Sequence, residues 1–557
     1  MIKKEELKII PLGGLGEVGR NMMLLEYGAD VIAIDAGLRF PEEDMPGIDF
    51  IIPNIEYLKE IGRKVKAVIF THGHLDHIGA VPYLIEKLGY PPLYATPLTR
   101  GLILKRHEDF KHLGKIDVTE IKVGKVFKIG TFLFEPLHLN HNIPDAVGLA
   151  IKTPVGIIIH TGDFKFDDEP IWGGPADKKR LGELGKKGVL CLMSDSTNAE
   201  GSGHSVSEKT IGENLELIFK EAGARIIAAT FASLLSRIQQ IIWLAEKYGR
   251  KVVIEGRSMK SNVEISRELG YTKIEKGTIV TPEEAMSLPP EKLVILGTGA
   301  QGEDNAVLMR IANGEHRHFK IHKSDTIIFS SSVIPGNERT VQQVKDLLYR
   351  QGAKVYHYQM MDIHAGGHAK AEELKEMINI TKPKFFIPIH GQYSMMMTHA
   401  DLAKEEGMRE ENIIAPDNGS MILFNNTEMK LSKKIVPSNY VMVDGLGIGD
   451  VGQVVLRDRQ VMAADGMFVI IAVIDLKTGR VKGNPDIISR GFVYLKESKE
   501  LLAEVRRRVR HIVESNTHAN TPINWIYVRD NVREKIGQFL YSKTQRRPMV
   551  LPVIIEI

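Results

Sequence analysis

Short apolar runs closed by glycine or a polar turn dominate the first two hundred residues: NMMLLEYG, DVIAIDAG, KVKAVIFTHG, GIIIHTGD and GVLCLMSD. Runs of this length between turn signals predict buried strands, and the amphipathic HIGAVPYLIEKLG between two of them predicts a helix. From residue 208 to about residue 350 the rhythm changes. SEKTIGENLELIFKEAG, ARIIAATF, LSRIQQIIWLAEKYG, RKVVIEG and KLVILGTG alternate helical and strand periods, which predicts a second α/β unit with a parallel sheet. After KFFIPIHGQY and MILFNN, the polar, proline-containing LSKKIVPSNY predicts a linker. The chain then starts again from Asp444. QVVLRDRQVMAADGMFVIIAVIDLKTGRV is expected to be strand-rich, LLAEVRRRVRHIVESN helical and RPMVLPVIIEI a closing strand, together a small α+β domain.

A chain of 557 residues is too long for one core, and its 43% hydrophobic and 26% charged composition excludes a disordered or low-complexity protein. The net charge is only +3, so a nucleic acid would have to be met by local basic patches. Cys191 is the single cysteine; it excludes internal disulfides and thiolate metal clusters and reads as a small apolar residue in a strand. MIKKEELKII lacks the apolar core of a signal peptide, and no later run has the length of a membrane span, so a cytoplasmic location without membrane attachment is expected. Arg257 and Arg339 read equally well as RNA-backbone contacts or structural ion pairs. Arg506 to His511 reads as the solvated face of a helix, and Met395 to Met397 as helix packing.

PLGGLGEVGRN contains a literal G-x-G-x-x-G, Gly14 to Gly19, with Asp35 downstream. A dinucleotide fingerprint needs a helix directly after its third glycine, because the pyrophosphate sits on that helix N-terminus. Too few residues separate Gly19 from Gly28 for that, and RNMMLLEYG and DVIAIDAG read as consecutive strands about the turn Tyr27-Gly28-Ala29-Asp30. Gly13 to Gly19 is therefore expected to be a flexible turn near the functional cleft.

Thr71-His72-Gly73-His74-Leu75-Asp76-His77-Ile78-Gly79 puts three of the 19 histidines within six residues, on a loop leaving a strand. His72 and His74 can face one point while Asp76 and His77, opening a helix, face a second about 3.5–4 Å away, the spacing of two-metal sites. Imidazole with carboxylate suits zinc, and manganese less well. One loop cannot complete two coordination shells, so further donors are required. His141, Asp163 and His390 each follow an apolar run and precede a turn. Asp163 is the expected bridge, one oxygen to each ion, and a water between the ions would ionise near neutral pH.

THGHLDHIGA, with Asp35 upstream and His141, Asp163 and His390 downstream, resembles the metallo-β-lactamase fold, and the unit inserted before His390 resembles the β-CASP nucleases. Within that group the sequence is similar to the ribonuclease J family over nearly its whole length: FPEEDMPGID, HNIPDAVG, SDSTNAE, TFAS, GRSM, GTGAQGE, IPGNE, HAGGHA, PIHGQY, ISRGFVY and RRPMVLPVIIEI. The resemblance implies an α/β protein: a metallo-β-lactamase αββα sandwich split over residues 1–205 and 365–430, a β-CASP domain over 206–364, a linker over 431–443 and a C-terminal α+β domain over 444–557. It implies that His72, His74 and His141 hold one Zn²⁺ and Asp76, His77 and His390 another in each subunit, with Asp163 bridging, Mn²⁺ the alternative metal and Asp35 orienting the metal loop. Asp195 would match the β-CASP acidic motif, and His368 the histidine that protonates the departing 3′ oxygen. The activity implied is 5′→3′ exoribonuclease and endoribonuclease cleavage of single-stranded RNA in processing and decay, metal-bound hydroxide leaving 5′-phosphate products. Homodimers or tetramers through the C-terminal domain and protein partners in RNA decay are implied as well. A β-CASP nuclease acting on DNA and a non-catalytic decay scaffold are the alternatives.

Three departures fall near the pocket that would receive a 5′-phosphate. Leu234 and Ser236 stand where the family usually carries asparagine and histidine, Gly366 where it carries serine, and Ser394 where it carries arginine. Ser233, His364, His368 and the backbone N–H groups around Gly366 and Gly367 remain as phosphate or RNA ligands, since a glycine-rich turn can form an anion nest. Weaker discrimination of the 5′-phosphate is expected.

Overall fold

A computed structural model describes residues 6–300, 306–333, 337–493, 498–517 and 523–557. Parts of GTGAQGE and IPGNE and the final tyrosine of ISRGFVY lie outside the described residues. The chain divides into two compact units, one running to Arg39 and resuming over Ile51–Val441, the other combining Phe40–Phe50 with Met442–Ile557.

In the larger unit an eight-stranded and a six-stranded sheet pack face to face. The predicted hairpin forms: Met22–Tyr27 and Asp30–Ile34 pair antiparallel with Tyr27 opposite Asp30. Period-two alternation sends Ile32 and Ile34 from one sheet, and Cys191 and Met193 from the other, into a shared core. Leu192 points the opposite way, beneath the helices Lys178–Lys187, Ala371–Thr381 and Tyr393–Glu405. These layers make the αββα sandwich. The expected helix over HIGAVPYLIEKLG is two short ones, Leu75–Ile78 and Val81–Leu84, divided at Gly79-Ala80 with a proline opening the second.

Between Val189–Asp195 and Phe385–Ile389, which pair in parallel, the chain builds the inserted domain. Its five-stranded sheet pairs Lys251–Ile254, Leu293–Gly297, Ile226–Ala229, Thr326–Phe329 and Lys354–His357, all in parallel.

In two places the polar pattern misleads. The stretch read as a linker over 431–443 begins inside the strand Met429–Ile435, which pairs with Ser420–Phe424 at the edge of the eight-stranded sheet. Its exposed Lys430, Lys433 and Lys434 are the charges an edge strand uses against mispairing. In the smaller unit, QVVLRDRQVMAAD forms a helix, Gln453–Asp465, closed by Gly466 at φ +77°, and the strand expected there starts only at Met467. Phe40–Phe50 joins this unit through hydrogen bonds such as Asp49 N–H to Val443 O at 2.9 Å, so the unit is not one continuous segment.

The smaller unit is a sheet on two helices. Met467–Asp475 pairs antiparallel with Asp486–Arg490 and in parallel with Met549–Glu556. Phe468, Ile470, Ala472 and Ile474 bury against Lys499–Glu514 and Trp525–Thr544. The other sheet face carries partly exposed Ile488, Leu551, Val553 and Ile555. No helix among the described residues is long and apolar enough to cross a membrane.

Candidate metal centre

The donors gather where strands end. Ala67–Ile69 runs into the histidine-rich loop, Gly156–His160 precedes Asp163, Asp195 ends its strand, and His390 follows Phe385–Ile389. His141 leaves the loop after Phe132–His138, and His368 stands just before Ala371–Thr381. Asp35 and His390 hold φ of +60° and +51°, costly for residues with a Cβ and concentrated here at the site.

Three clusters of donors share Asp163: one with His72, His74 and His141, one with Asp76, His77 and His390, and a smaller one with Asp195 and His368; the first two carry enough donors to hold an ion each. In the first, His74 Nδ1 lies 3.0 Å from His72 Nε2 and 3.1 Å from His141 Nε2, and Asp163 Oδ2 is 3.6 Å and 3.9 Å from those Nε2 atoms. Ligand bonds of about 2.0–2.1 Å to a tetrahedral ion separate the donors by about 3.3 Å, so the spacing fits a cation. In the second, His77 Nε2 is 3.2 Å from Asp163 Oδ2 and 3.5 Å from Asp76 Oδ2, and His390 Nε2 is 3.6 Å from Asp76 Oδ2. His390 Nε2 is buried with no hydrogen-bond partner, as a ligand nitrogen aimed at a cation would be. The same oxygen, Asp163 Oδ2, faces both groups, because Oδ1 is bonded to His390 Nδ1 at 2.6 Å; the expectation of one oxygen per ion is not what the geometry shows.

Behind the loop, Asp35 accepts from the Thr71 N–H at 2.8 Å and its hydroxyl at 2.9 Å, and bonds His77 Nδ1 at 2.8 Å. This turns His77 Nε2 toward Asp163. Thr71, immediately before the motif, has no ligand chemistry of its own and escapes a search for donor types. Asn21 escapes it too, with Nδ2 3.2 Å from His77 Nε2.

The two groups differ in charge. Burial, reinforced by neighbouring imidazoles, holds His72 and His141 well below the usual histidine range. Burial also lowers His74, to about 4, against the pull of Asp76 and Asp163. Burial disfavours charge on His77 and His390 as well, but Asp163, helped at His77 by Asp76 and Asp35, overrides it and raises both. Asp163 and Asp76 are held below the usual carboxylate range because histidine charge outweighs their burial.

Beside both groups, His368 Nδ1 lies 2.7 Å from Asp195 Oδ2. Burial opposes the imidazolium, yet Asp195, with Asp163 and Asp76 behind it, raises His368 to about 9. Gly367 O accepts from His141 Nδ1 at 2.7 Å, and a Cβ on Gly367 would lie 2.2 Å from His141 Cε1, so only glycine fits. Gly366 is exposed, Ser233 half-buried and Ser394 exposed. Leu234 and Ser236 are buried, Ser236 donating to Asn142 O at 3.3 Å. His364 Nδ1 is buried without a partner, and burial lowers this ring to about 3.

The Gly13 to Gly19 turn lies at this centre and is tied to it by hydrogen bonds. Glu17, buried, accepts from the Arg20 guanidinium at 2.7 Å, Asn418 Nδ2 at 2.8 Å and Arg39 at 3.2 Å, and Leu15 and Glu17 bridge to Gly391 beside His390.

A sandwich carrying this histidine and aspartate set, with a parallel α/β domain inserted before the last histidine, defines a metallo-β-lactamase hydrolase of the β-CASP type. The metallo-β-lactamase superfamily model matches residues 15–219, and the RNA specificity domain of Zn-dependent metallo-hydrolases matches 358–416. The ribonuclease J β-CASP domain matches 223–348 and the ribonuclease J C-terminal domain 454–557. Ribonuclease J2 of Bacillus subtilis is 38% identical over 99% of both chains. Ribonuclease J 1 of Streptococcus pyogenes is 39% identical over 100% of this chain and 98% of its own. The chain belongs to the ribonuclease J family. A crystal structure of an Enterococcus faecalis protein of unknown function, 16% identical with TM-score 0.52, covers 75% of this chain and all of its own, a likeness of fold.

Proposed function

We propose that this chain hydrolyses single-stranded RNA, from a 5′ end and internally, with two zinc ions per subunit, or manganese in their place. The observation that carries the reading is the pair of donor groups sharing Asp163, with the His368–Asp195 pair alongside. His72, His74 and His141 would hold one ion and Asp76, His77 and His390 the other. What bound ions supply is Lewis-acid activation of water and neutralisation of charge on the phosphodiester. The chain's own residues handle the leaving group. Asp195 fixes His368 through Nδ1 and so leaves Nε2 to give its proton to the departing 3′ oxygen. Asp195, with Asp163 and Asp76 behind it, raises His368 to about 9, so the ring carries the proton it would give up as a general acid.

The 5′-end preference is weak in this reading. Leu234 is buried and apolar, and Ser236 already donates to the backbone, so neither offers phosphate a free polar group. The partly exposed apolar face of the smaller unit's sheet is taken as a contact between copies; sedimentation of Val553→Glu at a lower mass than the parent chain would support it, and an unchanged mass would refute it.

The decisive assay offers one RNA, labelled at either end and bearing a 5′-monophosphate or a 5′-hydroxyl, to the parent chain and to Asp76→Ala, with and without chelator. Mononucleotides from both RNAs at similar rates, abolished by chelator and by the substitution, are expected. Strong 5′-monophosphate preference would overturn the weak-pocket reading. RNA binding without cleavage would favour a scaffold, and equal cleavage of DNA would overturn the RNA assignment.

A further inference from the structure

Both segments that carry the first donor group pack on the helix Pro97–His107, whose Arg106 also donates to Gly79 O at 3.2 Å, two residues past His77. Gly73, between His72 and His74, packs on it so closely that a Cβ there would lie 2.5 Å from Leu102 Cδ1. The loop carrying His141 is stapled to the start of the same helix by Asp145, four residues on. Asp145 accepts from the Leu98 N–H at 2.7 Å and the Thr96 hydroxyl at 2.8 Å, supplying a cap that the Thr96 side chain does not. It does so at φ +55°, a conformation costly for a residue with a Cβ.

The other side of this support belongs to the β-CASP domain. Tyr271 donates its hydroxyl to Asp145 Oδ2 at 2.9 Å, and Tyr271 O accepts from Trp172 Nε1 at 2.9 Å. The helix Arg257–Glu268, just before Tyr271, meets Pro97–His107 at Gly101, where a Cβ would lie 2.8 Å from Ile265 Cγ2. His77, by contrast, is oriented from inside the sandwich through Asp35, and His390 through Asp163.

We propose that the seating of the β-CASP domain, through Tyr271 on Asp145 and Ile265 on Gly101, positions the first donor group and leaves the second unaffected. Tyr271 and Gly101 are then positioning residues for His72, His74 and His141. The inference rests on the two-ion reading above.

The test is Co²⁺ titration of chelator-stripped protein, followed by visible absorption, for the parent chain, Tyr271→Phe and Gly101→Ala. In both variants one equivalent is expected to bind about tenfold more weakly, within the 10–100-fold cost of losing an outer partner of a metal ligand, while the other binds as in the parent. The weakening should persist when His390→Ala removes the second group and vanish when His74→Ala removes the first. Equal weakening of both equivalents, or of neither, overturns the proposal even if the thermal midpoint falls. A parent chain taking up fewer than two equivalents overturns the two-ion reading itself, and this inference with it.

Discussion

The two donor groups share Asp163 and lie side by side, yet they balance charge in opposite ways. The first brings three imidazoles that burial keeps neutral, ready to act as ligands. In the second, Asp76, Asp163 and Asp35 surround His77, and these carboxylates shift His77 and His390 toward the protonated form. Those protons do for the carboxylates what a divalent cation does on binding. A metal binding here would therefore compete with protons more at the second group than at the first.

The sharpest break in the comparison is removal of what the groups share. Asp163→Asn is expected to cost both ions and to lower turnover on the order of 10⁴-fold or more, the scale of several kcal/mol of metal-derived stabilisation. Metal analysis checks it, and one ion kept at full occupancy would show that Asp163 is not common to both. His368→Ala stands outside both groups. Turnover should fall about 10²–10⁴-fold with metal content unchanged, and loss of an ion would make His368 a ligand instead of an acid.

Asp35→Asn divides the groups more gently. It replaces the acceptor that turns His77 directly and reaches the first group only through Thr71, whose hydroxyl lies 3.1 Å from His72 Nδ1, so metal affinity should fall about 10–100-fold at the second group and less at the first. Equal weakening at both would mean that Asp35 supports the loop through Thr71 and not through His77 in particular.

How much of this was legible follows from what sequence can encode. The histidine loop and the downstream donors each end an apolar run, so residue type and spacing exposed Asp163 and His390 although they lie 227 residues apart. The helix over Gln453–Asp465 and the edge strand Met429–Ile435 were misread because both carry mixed polar patterns whose meaning depends on which neighbour covers them. The glycine turn leads into the strand Met22–Tyr27, as its spacing implied, but its ties to Asn418 and Gly391, far along the chain, are what local composition cannot report. Tyr271 and Asp145 were invisible for the same reason, lying 126 residues apart with no chemistry that marks them as a pair.

The smallest expected effect separates the groups without any substitution. Below the ordinary histidine value of about 6.5 an unfolded chain protonates His72, His74 and His141, while the folded chain resists, so metal-free stability falls as the pH drops from there toward 4. His77, His390 and His368 are shifted the other way. Their contribution is complete below about 6.5 and is lost as the pH rises through their raised folded values, up to about 9 for His368. Metal-free protein should therefore melt highest near pH 6.5, each shifted unit being worth about 1.4 kcal/mol, or about one degree for a chain of this length. Zinc bound at the second group would take the place of protons there, so its addition should steepen the acid limb and flatten or reverse the alkaline one. Melting curves across pH 5 to 9, with chelator and with zinc, decide it. A metal-free profile flat above pH 6.5 would mean that His77 and His390 are as neutral as the first group, and the contrast between the two would be gone.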